Sequence, residues 1–271
     1  MDNDYIDLLE KARKFLSYYD KYNSYSIYTD EIVTSENIVI PNIAKETPAD
    51  YSSKQSVSTV KPSDISIKVK NEISTVCDED WMKAETLSQM REMIEDCKKC
   101  HLYKTRTKLV FGEGDPNADL VVVGEAPGES EDLQGMPFVG RAGQLLTKIL
   151  EAINFKREEV FICNILKSRP PSNRNPEPKE IEACIPYLHK QLELIKPKFI
   201  LALGTFAAQS LLDSKEPLGK LRGKFHEYRG IQLMVTYHPA ALLRNPNWKK
   251  PAWEDVQLLR KEYDRANAVK K

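Results

Sequence analysis

Four short apolar runs constrain this chain most: residues 119–123 (DLVVV), 160–165 (VFICNI), 199–203 (FILAL) and 231–236 (IQLMVT). Together they are rich in β-branched residues, and none alternates cleanly between polar and apolar, which predicts strands buried on both faces. Helical spacing runs through residues 83–96, 142–154, 178–195, 205–212 and 252–266. Strands that alternate with helices predict a parallel sheet with helices on both faces. Ligands of such sheets sit beyond the carboxyl ends of the strands. The loops after Val123, Ile165, Leu203 and Thr236 are therefore the ones to read, and three of the four carry unusual residues.

The first is Gly124-Glu-Ala-Pro-Gly128-Glu-Ser-Glu-Asp132, continued by Gly135-Met-Pro-Phe-Val-Gly-Arg-Ala-Gly143. A glycine-rich turn between strand and helix suggests backbone amides facing a ligand. No Gly-Lys-Ser/Thr follows, and the four acidic residues oppose a triphosphate. Amides and carboxylates together suit a neutral hydrogen-bonding ligand such as a nucleobase edge. Phe138 has two readings, packing beneath its loop or stacking on a flat base.

The second is Asn164 at a strand end, leading into Lys167-Ser-Arg-Pro-Pro-Ser-Asn-Arg-Asn-Pro176. An Asn amide offers one donor and one acceptor side by side, matching the O4 and N3–H edge of uracil and opposing that of cytosine. The basic loop after it suits a phosphate contact through Arg169, or is a plain turn. The third is His238-Pro-Ala-Ala-Leu-Leu-Arg-Asn-Pro246. His238 ends a strand on the same edge, where an imidazole N–H can stabilise charge building on a departing base. Leu242, Leu243 and Arg244 read as an exposed apolar wedge ending in a cation, suited to the gap left by a flipped base and to a phosphate.

Net charge is zero, which is an odd balance for a nucleic-acid binder, but it is unevenly spread. Residues 1–80 hold 9 Lys/Arg and 15 Asp/Glu, leaving 31 and 25 for the remainder, so the body is mildly basic. That suits a few local phosphate contacts without wrapping a duplex. Residues 4–20 have helical spacing, so an amphipathic helix is expected within 1–22, a polar linker over 23–81 and the folded domain over 82–271. The helix either caps the body or docks a protein partner. No apolar run reaches the roughly 20 residues a membrane span needs, and the acidic start lacks signal-peptide character, so a cytoplasmic monomer is expected. Five cysteines read as buried thiols or metal ligands.

Together these residues resemble the uracil-DNA glycosylases, most closely the bacterial and archaeal family 4 group, over residues 90–265 or so. The motifs that carry the resemblance are Gly-Glu-Ala-Pro-Gly with Pro-Phe-Val-Gly, the strand-terminal Asn, Arg-Pro-Pro and His-Pro-Ala-Ala-Leu-Leu-Arg-Asn-Pro, in family order. The resemblance implies a three-layer α/β/α sandwich with a central four-stranded parallel sheet. It implies hydrolysis of the N-glycosidic bond of a flipped deoxyuridine in DNA, leaving an abasic site. Glu125 and its neighbours Gly124, Ala126 and Gly128 would line the pocket. Phe138 would stack on uracil, Asn164 would read its edge, and His238 would stabilise the leaving base. Glu131 matches a rim position, a steric check on the thymine methyl. In family 1 an aspartate associated with orienting water stands where this chain has Ala126, so the resemblance implies a dissociative route.

Family 4 proteins hold a [4Fe–4S] cluster on four cysteines. The resemblance places three of these at Cys97, Cys100 and Cys184, but Ser168 stands at the fourth position. Cys163 is a poor substitute on geometry, because five residues along a strand span roughly 16 Å and an odd offset turns it to the other face. Serine is a weaker ligand than thiolate. Three outcomes stay open: a cluster with Ser168 or solvent as fourth ligand, a three-iron species, or no cluster. A second functional class also stays open, a protein that binds uracil or abasic DNA with little turnover.

Overall fold

The computed structural model describes residues 80–268; the helix expected within 1–22 lies outside them, as does nearly all of the linker expected over 23–81. The folded body reaches slightly further back than residue 82. Asp80–Lys83 form a 3-10 turn whose Trp81 is buried edge-on against Tyr187, with centroids 4.6 Å apart.

The four expected strands are present as β2 (Leu120–Gly124), β3 (Phe161–Asn164), β4 (Phe199–Leu203) and β6 (Ile231–Thr236). They pair in parallel in the order β3-β2-β4-β6. Every residue of β2, β3 and β4 is buried, as expected of apolar runs covered on both faces. Two antiparallel edge strands escaped the sequence reading: β1 (Glu113–Gly114) beside β3 and β5 (Phe225–Tyr228) beside β6. The sheet therefore has six strands, of which the central four are parallel. β5 and β6 join through Arg229 and Gly230, both at positive φ. Such a two-residue turn favours Asn-Gly, so Arg-Gly gave little signal.

Helices α1 (Leu87–Ile94), α2 (Glu129–Gln134), α3 (Arg141–Ala152), α4 (Pro178–Ile195), α5 (Gly204–Leu212), α6 (Leu218–Leu221), α7 (Pro239–Arg244) and α8 (Lys249–Ala268) complete the body. Val121, Val123, Phe161, Cys163, Ile200, Ala202, Leu233 and Val235 face one way, into a core shared with α1, α4 and α5. Leu201, Leu203 and Thr236 face the other way, against Leu146 and Ile149 of α3 and Ala252 and Val256 of α8. Three layers result. α4 starts where its sequence says, with Pro178 in the first turn and Glu177 and Glu180 in a reciprocal capping box.

The start of α3 is packed tightly beneath the loop that precedes it. A Cβ on Gly143 would lie 1.8 Å from the carbonyl oxygen of Phe138, so only glycine fits. Phe138 itself sits at φ 52°, a left-handed conformation that costs a non-glycine residue of order 1–3 kcal/mol. Arg157 donates to the Pro137 carbonyl at 2.7 Å, and Glu131 accepts from the amides of Val139 and Gly140, both at 2.9 Å. These contacts hold the loop in place on both sides of the strained residue. Gly143→Ala is expected to destabilise the fold by about 1–3 kcal/mol through overpacking. Thermal unfolding measures this, and an unchanged midpoint would show that α3 can retreat from the loop.

Candidate functional site

The parallel register sets Gly124 of β2 opposite Asn164 of β3. Both strands end there, and a cavity of about 360 Å³ opens beyond them. Its lining comes from the loops after β2, β3 and β6, the three singled out in the sequence. Glu125, Ala126, Gly128, Glu131, Phe138, Asn164, His238 and Arg244 all border it. Gly124 lies beneath: a Cβ there would meet Asn164 Oδ1 at 2.4 Å and Phe138 Cζ at 2.5 Å. Glycine is what lets the amide and the ring converge.

Asn164 Oδ1 is buried and has no hydrogen-bond partner, one of two such side-chain atoms among the described residues. Leaving a buried acceptor unmade costs about 1–3 kcal/mol, and a ligand N–H would satisfy it. Phe138 is 6% exposed, so it is both packed beneath its loop and part of the cavity wall. Its ring lies 5.6 Å from that of His238, tilted by 32°.

His238 is the N-cap of α7, and its Nδ1 accepts the Ala240 N–H at 3.2 Å. Its neutral ring therefore carries the proton on Nε2. Burial pushes its pKa down to about 4, Arg244 adds to the shift, and Glu131 opposes it. Burial raises the Glu125 pKa, and Arg244 pulls it back. The site at neutral pH thus holds a neutral imidazole donor rather than an imidazolium.

Leu242 is not an exposed wedge: it lies in helix α7, 1% exposed, against the apolar layer between α3 and α8. Leu243 is partly exposed and Arg244 exposed, so the outward part of the wedge shrinks to those two. The helix had a signal, a Pro directly after its capping His. Arg169 does not border the cavity; its Nε donates to Asn173 Oδ1 at 2.8 Å, and it pairs with Glu129 at 3.6 Å. Glu131 is occupied in holding the Phe138 loop. Asp132 also turns inward, accepting the Thr107 N–H. Two of the four acids that argued against a triphosphate thus hold backbone, Glu131 that of the Phe138 loop and Asp132 that of the segment before β1.

Asn173, Arg174 and Asn175, in the basic loop read as a phosphate contact but not named singly there, also border the cavity. Ser172 and Asn173 sit at φ 54° and 55°, and strained non-glycine residues gather at functional loops. Arg174 grips buried Glu180 with both nitrogens, at 2.9 and 2.6 Å, and His101 reaches the same carboxylate at 3.1 Å. His101, Glu177 and Glu180 are close enough to share a cation, but Arg174 already neutralises the acids there.

Lys167 was missed as a structural element. It is 1% exposed, and its ammonium donates to the Asn164 carbonyl at 2.9 Å and to Gln191 Oε1 at 2.6 Å. Its own N–H donates to Cys184 Sγ at 3.2 Å. It does not border the cavity.

Cys97 and Cys100 pack against the core that holds Cys184, and their charge raises its pKa. Burial is the larger cause, and the thiol is pushed up to about 11. Tyr187 OH donates to Cys97 Sγ at 3.1 Å, and Lys99 lies over the Trp81 and Tyr187 rings at 4.7 Å from each. Ser168 is buried, and its hydroxyl accepts from Arg106 at 3.2 Å. Cys163 is fully buried in the core, on the sheet face opposite Asn164. β3 ends at Asn164 and the chain then turns, so the extended-strand spacing used for Cys163 was an upper bound. The donors these segments offer among the described residues are thus the thiols of Cys97, Cys100 and Cys184, with a serine hydroxyl at position 168.

Neutral burial of His238 has a pH consequence. The folded state resists its protonation, so stability is full above the ordinary imidazole pKa of about 6.5 and is lost as pH falls from there toward about 4. An NMR titration should place the His238 midpoint near 4, and His238→Asn should flatten this part of the stability profile. A midpoint near 6.5 would contradict the burial argument.

The profile of the Uracil DNA glycosylase superfamily matches residues 111–257. The Type-4 uracil-DNA glycosylase of Pyrobaculum aerophilum is 48% identical over 180 residues, covering 64% of this chain and 92% of its own. That of Archaeoglobus fulgidus is 43% identical over 183 residues, covering 65% and 92%. The Thermotoga maritima protein of the same description is 43% identical over 167 residues, covering 61% and 87%. With more than half its length matched and a pocket built from the three expected loops, this chain belongs to the uracil DNA glycosylase superfamily.

Proposed function

We infer that this chain is a uracil-DNA glycosylase, a hydrolase that releases uracil from DNA in base excision repair. The unpartnered Oδ1 of Asn164 carries the inference, because a buried acceptor beside a stacking ring suits the N3–H of a flat base. The Asn164 amide NH₂ then donates to O4, a pairing that cytosine cannot reciprocate. The base must leave the helix stack to reach the pocket.

In the reaction the C1′–N1 bond breaks with its electron pair leaving on uracil. Negative charge spreads to O2, where the Nε2–H of neutral His238 donates. Phe138 holds the ring plane. Water adds to the sugar cation at C1′ and its proton passes to solvent, with no dedicated base at Ala126. Nearby DNA phosphates favour positive charge on the sugar, and Glu125, near Arg244, lines the pocket. Buried Lys167 points its amine at a backbone carbonyl, so no Schiff base and no strand cleavage are expected from it. Leu243 and Arg244 are the residues suited to the duplex gap and a phosphate, and Arg174 also borders the cavity.

Cys97, Cys100 and Cys184 would hold an iron–sulfur group at three corners, with the Ser168 hydroxyl nearest in sequence to the fourth. Such a group, when bound, supplies a cross-link between the segment after α1 and helix α4. No helix among the described residues is long and apolar enough to cross a membrane. Our reading of localisation and assembly is a cytoplasmic monomer.

Incubation of a uracil-containing oligonucleotide with the protein should create alkali-labile sites. Asn164→Ala and His238→Ala should each slow their formation by 10²-fold or more, on the order seen when one transition-state donor is removed. Unchanged rates in both would overturn the site assignment. Tight binding to abasic DNA without uracil release would favour the binding-protein reading instead. Iron and sulfide analysis of anaerobically prepared protein tests the thiol site, with Ser168→Cys expected to raise both contents per chain. Equal contents in the two proteins would show that residue 168 is not a ligand position.

A further inference from the structure

We propose that Trp248 is a stacking platform for an unpaired base of the DNA strand, next to the nucleotide that enters the pocket. The proposal rests on the glycosylase reading, since it takes DNA as the partner. Helix α7 presents His238, Ala240 and Arg244 to the pocket. The chain on either side of this helix is closed by two rings: Tyr237 and Trp248 stack with centroids 4.9 Å apart and planes 17° apart.

This stack is anchored in the core. The Arg222 guanidinium lies over the Tyr237 ring, 5.4 Å from its centroid. Arg222 in turn donates to both oxygens of Asp255, at 2.9 and 2.8 Å. Asp255 is fully buried and also accepts from Thr236 Oγ1 at 2.8 Å. A buried ion pair thus fixes a ring whose neighbour reaches the surface. Trp248 is 39% exposed, whereas Trp81 is 7% exposed and Trp253 is partly buried.

An exposed tryptophan means little when isolated. This one is held in a fixed orientation, so binding there sacrifices little side-chain entropy. It follows a helix of the pocket rim directly, and its sequence neighbours Arg244, Asn245, Asn247 and Lys250 are exposed, the cations able to meet phosphates. A strand with one nucleotide in the pocket carries its neighbours across that rim. Flipping strips one stacking partner from the adjacent base, and an indole face replaces it for any base. A purely structural clamp on α7 would show no optical response to DNA.

The full-length protein should be titrated with a uracil-free single-stranded oligonucleotide while tryptophan emission is followed. Quenching in the wild type should exceed that in Trp248→Phe, the difference belonging to indole 248. Trp248→Ala should bind a labelled form of the oligonucleotide about ten-fold more weakly, and Trp248→Phe should recover most of the affinity. Equal quenching in wild type and Trp248→Phe would overturn the proposal, and that comparison decides it even if Trp248→Ala fails to fold. Wild-type quenching without uracil release would instead refute the glycosylase reading and leave the platform standing.

Discussion

The pocket depends on one pairing, Gly124 of β2 against Asn164 of β3 in parallel register. Parallel strands end on the same edge, so their exit loops meet without any long-range fitting. Because residue 124 has no Cβ, the Asn164 amide and the Phe138 ring close over it. A register slipped by one residue would turn Asn164 to the opposite face, into the core that holds Cys163. The hydrophobic runs that bury these strands on both sides therefore also align the chemistry.

Around that edge, burial sets the charge states in one consistent direction. It lowers the pKa of His238, raises that of Glu125, and raises those of the thiols of Cys100, Cys163 and Cys184. Every one of these shifts favours the neutral form, the expected result of desolvation in a low-dielectric interior. A neutral imidazole that donates without surrendering its proton suits charge that appears late and leaves with the base. The acids of the first motif follow the same economy, since Glu131 and Asp132 accept backbone N–H groups that would otherwise be unmet.

What could be read from the sequence followed from periodicity and from position at strand ends. The four parallel strands, helix α4 to its boundaries, and the three functional loops all left such marks. The edge strands did not, because β1 is two residues long and β5 is only partly buried. Leu242 shows the limit of reading a motif as a unit. In Leu-Leu-Arg the helical turn sends Leu242 inward and its neighbours outward, a split that an irregular loop would not impose. Arg174 and Asn173 were hidden for another reason. The basic composition of their loop is legible, but positive φ at Ser172 and Asn173 gives its course no periodic mark.

Lys167 joins two places that the sequence treats as separate. Its ammonium fixes the Asn164 carbonyl while its amide fixes Cys184 Sγ, and Gln191 ties the same ammonium through Phe111 to the strand-side core. Residues that share a partner do not respond independently to substitution. The main chain at Asn164 and the buried thiol are therefore coupled through one residue: a change at position 184 that shifts Lys167 is felt by the backbone that carries the Asn164 amide. Divergence of the thiol site, as at Ser168, is confined to whatever this lysine can transmit without moving Asn164.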